Sequence, residues 1–184
     1  MKRFLKRAWG WLVGGMVLVL LVVALDVTGG LDRDLRSAGR DMAVGEPVAG
    51  RRWTLTVLEA SIVNDYDDQP KLEIAVEGRF DGEEALAYPS EGVVVLQGPD
   101  GEFTTKIDWL GDVGFGQPGV QDSAVVSARL EEFMDPKEAA DGLPVSVVIC
   151  DEVKVDSFIQ GERWVGGADI GRVALKAEDM RGLS

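Results

Sequence analysis

"KLEIAVEGRF", Lys71 to Phe80, decides the fold class. Leu72, Ile74, Val76 and Phe80 fall on one side of an extended chain, while Lys71, Glu73, Glu77 and Arg79 fall on the other. Successive strand residues point to opposite faces of a sheet, so this spacing predicts a strand with one face in a core and one in water. Upstream, "RRWTLTVLEASIV" (51–63) alternates in the same way, with Trp53, Leu55 and Val57 on one face. Downstream, "GVVVLQ" and "EFTTKIDW" flank "GPDG", a dipeptide-rich turn typical of hairpins. "SAVVSARLE", "LPVSVVIC", "EVKVDSFI" and "IGRVALKA" follow at short intervals.

One helix signal interrupts them. In "DPKEAADG" (135–142) Asp135 can cap, Pro136 takes the first helical position and Gly142 ends the segment, which predicts a two-turn crossover. Seven or eight short strands and one short helix predict an all-β, antiparallel, immunoglobulin-like β-sandwich. A single N-terminal transmembrane helix is expected to precede it.

That helix is read from "KRFLKRAWGWLVGGMVLVLLVVALD". Ala8 to Leu25 is a run of 18 residues without a charge. As a helix it would be about 27 Å long, close to the roughly 30 Å hydrocarbon core. A cleavable leader has a shorter apolar region followed by small residues at the cut, and here only Val22 and Ala24 resemble such a site. The balance favours an uncleaved signal-anchor. Trp9 and Trp11 stand where aromatic rings favour the headgroup layer. Arg3 and Arg7, with Lys2 and Lys6, keep the N-terminal end cytoplasmic by the positive-inside rule, so the rest is exported. Gly10 and Gly14 have the GxxxG spacing that lets two helices approach closely. Homodimerisation through that pair stands beside the plainer fact that glycine is common in membrane helices. The expected order is a basic cytoplasmic tail (1–7), the anchor (8–25), a linker (26–45), the extracytoplasmic sandwich (46–176) and a short tail (177–184).

Charge and composition narrow the chemistry. The whole chain has a formal net charge of −13, and beyond residue 25 it carries 15 bases against 32 acids. A surface of that sign repels phosphate backbones, which argues against nucleic-acid binding. No histidine is present, which removes Ser–His and Cys–His nucleophilic pairs, histidine-ligated zinc and a histidine pH switch. Cys150 is the single cysteine, so an intramolecular disulfide is impossible. It reads as a small buried hydrophobe, with a free thiol or an intermolecular bridge as the rivals.

Three turns carry a family resemblance: Gly45-Glu46 opening the domain, Asp100-Gly101 in a hairpin, and Pro118-Gly119 before a strand leading to a short acidic segment. Over residues 44 to about 160 this order is similar to the telokin-like immunoglobulin-fold domains found behind membrane anchors or lipoprotein signals in bacteria. The resemblance implies a sandwich and an extracytoplasmic address. It implies no activity and no catalytic residues.

Two stretches stand out as candidate sites. "NDYDDQ" places Asp65, Asp67 and Asp68 on one connection, and converging carboxylates can hold a hard cation. The full calcium-loop spacing is absent, because Pro70 takes the place of its glycine, and a polar hairpin accounts for the same residues. "DWLGDVGFGQPG" (108–119) places Trp109, Leu110, Val113 and Phe115 among glycines, and "FIQGERWVGG" (158–167) does the same for Trp164. Large apolar side chains on glycine-rich loops form either a contact surface or a plug for the open end of a sandwich. Trp109, Phe115 and Trp164 are therefore the candidate partner-binding residues. Together these features predict a non-enzymatic, membrane-anchored module that needs no cofactor and binds an envelope protein. A glycan hydrolase using paired carboxylates and a calcium- or small-ligand-binding module are the alternatives.

Overall fold

The computed structural model describes residues 39–157 and 161–181. The sequence-predicted tail and anchor, with Arg3, Arg7, Trp9, Gly10, Trp11 and Gly14, lie outside the described residues. Among the described residues no helix is long and apolar enough to cross a membrane.

Ten strands are described: β1 (Arg40–Met42), β2 (Pro47–Ala49), β3 (Trp53–Asn64), β4 (Pro70–Phe80), β5 (Val94–Gln97), β6 (Phe103–Thr104), β7 (Asp108–Gly111), β8 (Gln121–Arg129), β9 (Leu143–Ser157) and β10 (Gly161–Asp179). They form one curled sheet of two five-stranded leaves. One leaf runs β6-β5-β9-β10-β1 and the other β2-β3-β4-β8-β7. The leaves join where the end of β10 pairs in parallel with β3, Glu178 opposite Ser61 and Asp179 opposite Ile62. The predicted all-β class and the alternation that led to it are both present. Leu72, Ile74, Val76 and Phe80 of β4 are all buried.

Between the leaves β3, β4 and β8 face β5, β9 and β10, and their inward residues make one continuous core. Each fully buried Leu, Ile or Phe there contributes about 1.5–3 kcal/mol relative to exposure. A second small cluster, Val95, Val148 and Cys150, lies apart from it. Cys150 is buried and unbridged, and its Sγ donates to Asp169 Oδ1 at 3.3 Å.

Four expectations need correction. The predicted two-turn helix is a single 3-10 turn, Pro136–Glu138. Its cap is as expected, with Asp135 accepting from the Lys137 N–H. The chain then becomes extended at Ala139 (φ −70°, ψ 111°), which is buried in the core. Second, "EFTTKIDW" is not one strand. Lys106 N–H donates to Thr104 Oγ1 and Ile107 N–H to Thr105 O, and this tight bend sends β6 and β7 to different leaves. Third, "LPVSVVIC" and the following "EVKVDS" belong to one 15-residue strand, β9, while Phe158 and Ile159 lie outside the described residues. Trp164 likewise sits within the 19-residue β10, opposite Lys154, not on a loop. Irregularities between Gly166 and Gly171 absorb the glycines that look like loop punctuation. Fourth, the folded unit is wider than 46–176. β1 pairs with β10, and β10 itself runs to Asp179, where it pairs with β3.

Candidate functional site

An unbroken row of rings crosses the domain. Tyr88 lies 6.0 Å from Trp109 between ring centroids, Trp109 lies 5.8 Å from Phe115, Phe115 lies 5.2 Å from Trp53, and Trp53 lies 4.9 Å from Phe80. Arg52 continues it, its guanidinium 5.0 Å from the Phe80 centroid and 4.6 Å from that of Trp164. Trp109 and Phe115 are thus in contact, while Trp164 closes the opposite end of the row. The three do not form one exposed patch. Phe115 is buried, and Trp109 and Trp164 are half-buried.

Phe115 owes its position to missing side chains. A Cβ on Gly78 would come within 2.6 Å of the Phe115 ring, and one on Gly111 within 2.9 Å of the Phe115 Cβ. The ring therefore sits directly on the backbone of β4 and β7, plugging the end of the sandwich. The side chains beside it point the other way: Leu110 is 74 % and Val113 98 % exposed. Asp108, Leu110 and Asp112 are exposed, whereas Trp109 and Gly111 are turned inward.

The turn that presents Val113 is held at three points. Phe115 N–H donates to Asp112 O (3.0 Å), Gly114 N–H to Asp122 Oδ2 (3.0 Å), and Asp112 N–H to Ser123 O (2.9 Å). Beside it runs the connection 81–92, which carries Tyr88. Leu86 N–H donates to Gly116 O at 3.0 Å, an approach so close that a Cβ on Gly116 would lie 1.7 Å from Leu86 O. At its other end Ser90 N–H donates to Glu152 Oε1 at 2.9 Å. Glu152 is buried, and its Oε2 lies 3.5 Å from Arg52 Nε. A carboxylate this dry needs a charged partner, and the stacked guanidinium supplies it. Tyr88, Arg52 and Glu152 escaped sequence reasoning, since nothing in their spacing marks a connection bonded to a strand 62 residues away.

The acidic connection 65–69 does different work. Asp65 Oδ1 accepts from Asp67 N–H (2.8 Å) and Gln69 N–H (3.0 Å), and Arg129 lies 3.7 Å from Oδ2. The Gln69 N–H first, and then the Asp67 N–H and Arg129, hold the Asp65 carboxyl below the ordinary range despite some desolvation. Asp65 closes a hairpin turn, with Asp68 in the left-handed region at φ 58°. Asp65, Asp67 and Asp68 do not converge as ligands, and among the described residues no group of three or more such side chains is placed to hold a metal ion.

Two shallow grooves mark the surface. One, of about 480 Å³, lies between β3 and β10 among Val44, Leu58, Val63, Leu175 and Met180, with Glu59 and Glu178. The other, of about 530 Å³, follows β2, β3 and β4 and holds Glu77, which accepts from Gln121 at 2.7 Å. A glycoside-cleaving acid needs a carboxyl held up towards neutrality. Asp65 and Asp179 are both held in the opposite direction, Asp179 down to about 2 by its side-chain hydrogen bond to Arg181.

No protein-family model matches the chain, and no curated protein matches it. Two solved structures resemble it. A "putative lipoprotein" from Staphylococcus aureus subsp. aureus NCTC 8325 aligns over 75 % of this chain and 96 % of its own, with 12 % identity and a TM-score of 0.44. An uncharacterized beta-sandwich protein from Clostridium difficile 630 aligns over 71 % of this chain and 97 % of its own, with 11 % identity and a TM-score of 0.37. The chain is similar to both in its β architecture, and the fold described above rests on its own strand pairing.

Proposed function

We propose that this chain is a non-enzymatic, membrane-anchored β-sandwich of the telokin-like immunoglobulin type that binds a protein partner at the bacterial cell envelope. The observation that carries the binding role is the pair of exposed side chains Leu110, on β7, and Val113, on the following turn, which is fixed by three hydrogen bonds and backed by the buried Phe115. Exposed aliphatic side chains on a preorganised support bind with little ordering cost, whereas the same residues on a mobile loop would not. Trp109 and Phe115 act as the support, not the contact. Trp164 lies at the other end of the row and has no part in this face.

Strand order supports the immunoglobulin-type reading. β5, β9 and β10 lie side by side as the C, F and G strands do, and β8 and β7 pair as E and D do. β3 and β4 complete that leaf in the order A, B, E, D, with β4 between β3 and β8 as B lies between A and E. The three glycines of the resemblance, Gly45, Gly101 and Gly119, all turn with positive φ (81°, 83° and 74°). The anchor rests on the uncharged run from Ala8 to Leu25.

The test is gentle extraction of the full-length chain from native membranes, followed by mass spectrometry of the intact assembly. A full-length chain carrying a companion protein is expected, with the companion lost from Leu110→Ser/Val113→Ser and kept by Trp164→Phe. A companion retained by the double variant, or a chain recovered outside the membrane and beginning near Leu25 or Asp26, overturns the proposal.

A further inference from the structure

The face just described has an edge and a charge, and together they specify its partner. Among the described strands, β7 pairs only with β8, so its other side is a sheet edge. At four residues it is longer than the other strands with a single partner, β1 and β2 with three each and β6 with two. Asp112 N–H is used by Ser123, and the register sets Leu110 opposite Val125 and Asp108 opposite Ser127. In an antiparallel ladder alternate residues bond to the same neighbour, so Trp109 and Gly111 turn their N–H and C=O groups away from β8. Exposed edges of this kind accept an added strand.

Charge fixes the chemistry of that strand. From Ile107 to Ala128 there is no Lys or Arg, and the segment carries Asp108, Asp112 and Asp122. The adjoining connection, 81–92, likewise has no Lys or Arg and carries Asp81, Glu83, Glu84 and Glu91. Asp81 is taken by Arg79 at 2.8 Å and Asp122 by the Gly114 N–H, whereas Asp108, Asp112, Glu83 and Glu84 are exposed. On the outer face of β7 the order is thus acid, aliphatic, acid.

We propose that the partner presents an extended segment of the pattern basic-x-aliphatic-x-basic, which adds to β7 as an antiparallel strand. Its basic residues lie beside Asp108 and Asp112, its aliphatic residue beside Leu110, and its intervening residues bond to the backbone of Trp109 and Gly111. Same-face neighbours on paired strands are the ones that interact, and opposite charges there attract. This rests on the protein-binding reading above and gives it a mode and a ligand class.

The probe is acetyl-Lys-Val-Leu-Val-Lys-amide, titrated into the full-length chain in non-ionic detergent and followed by amide NMR shifts. Three comparisons accompany it: the Glu-Val-Leu-Val-Glu counterpart, the same basic peptide N-methylated at both valines, and the basic peptide against charge-reversed chains. Shifts concentrated on residues 108–113 are expected. Binding should weaken by about tenfold or more for the acidic peptide and for Asp108→Lys/Asp112→Lys, as rim charges of the wrong sign oppose docking. N-methylation should weaken it similarly, because it removes the backbone donors. The reversal Asp100→Lys/Glu102→Lys, on the β5–β6 hairpin of the other leaf, should leave it unchanged. Equal loss in both reversed chains means diffuse charge attraction and overturns the proposal. Undiminished binding of the N-methylated peptide overturns strand addition. If the basic peptide fails to bind while a native companion is still lost with Leu110→Ser/Val113→Ser, this inference falls and the protein-binding reading stands.

Discussion

The two ends of the ring row use the same residue types to opposite effect. At one end Trp164 lies over the Arg52 guanidinium, which is sandwiched against Phe80 and paired with the buried Glu152. Every large group there covers another. At the other end Trp109 and Tyr88 pack on Phe115, yet the next side chains along the chain, Leu110 and Val113, are left in water. A tryptophan among glycines reads alike in both places. What separates them is whether a charged group needs shelter behind the ring or an apolar one is displayed in front of it.

The largest expected effect comes from the residue on which the displayed end is built. Phe115→Ala removes a ring seated between Gly78, Gly111, Trp53 and Trp109. It should cost about 3–5 kcal/mol in denaturant unfolding, as large core truncations do. A loss below about 1 kcal/mol, typical of surface changes, would show that the ring is not a core element.

At the sheltered end, Glu152→Ala leaves Arg52 without its counter-charge and should cost about 3 kcal/mol. Removing both partners should recover part of that loss, because the penalty belongs to an uncompensated buried charge. If Arg52→Leu/Glu152→Leu is as unstable as Glu152→Ala, the two ends do not differ in the way proposed. By contrast, Leu110→Ser and Val113→Ser should each change folding stability by no more than about 0.5 kcal/mol, as exposed substitutions do. A larger loss, seen as a shifted unfolding midpoint at unchanged slope, would make them core residues and remove the displayed surface.

A reference point lies at neither end. Asp179 is clamped by Arg181 at 2.6 Å, and Arg181 also donates to Ala139 O at 2.8 Å. Because its folded pKa is lowered from 3.8 to about 2, the clamp stabilises above the unfolded value and is lost as pH falls between the two. Asp179→Asn should therefore melt below the native chain at pH 6, and the gap should close as the pH approaches 2. A gap that stays constant across this range would sever the link between the clamp and the carboxylate.

Legibility in the sequence followed how local each constraint is. β4 was legible because half-burial writes itself as alternation, residue by residue. The β9–β10 hairpin was not, since its glycines 166, 167 and 171 mimic loop punctuation and only pairing with β9 reveals a bulged strand. The break between Thr104 and Asp108 was hidden for the complementary reason. "EFTTKIDW" alternates well enough to pass as one strand, and its division between leaves depends on where β8 and β5 lie. Of the candidate site, Trp109 and Phe115 were visible as apolar residues in a glycine-rich stretch. Which of that stretch points inward was not, because Gly78, far along the chain, makes the socket for Phe115.

The sequence by itself determined the all-β class, the acidic surface, the absence of histidine chemistry and the uncharged run at Ala8–Leu25. These follow from composition and from contacts a few residues long. Only the tertiary structure decided that Asp65 closes a turn, that Glu152 shelters Arg52, and that Leu110 and Val113 face solvent while Phe115 is buried behind them. Each of those depends on what a distant strand places opposite the residue, and burial is a property of that pairing, not of the side chain.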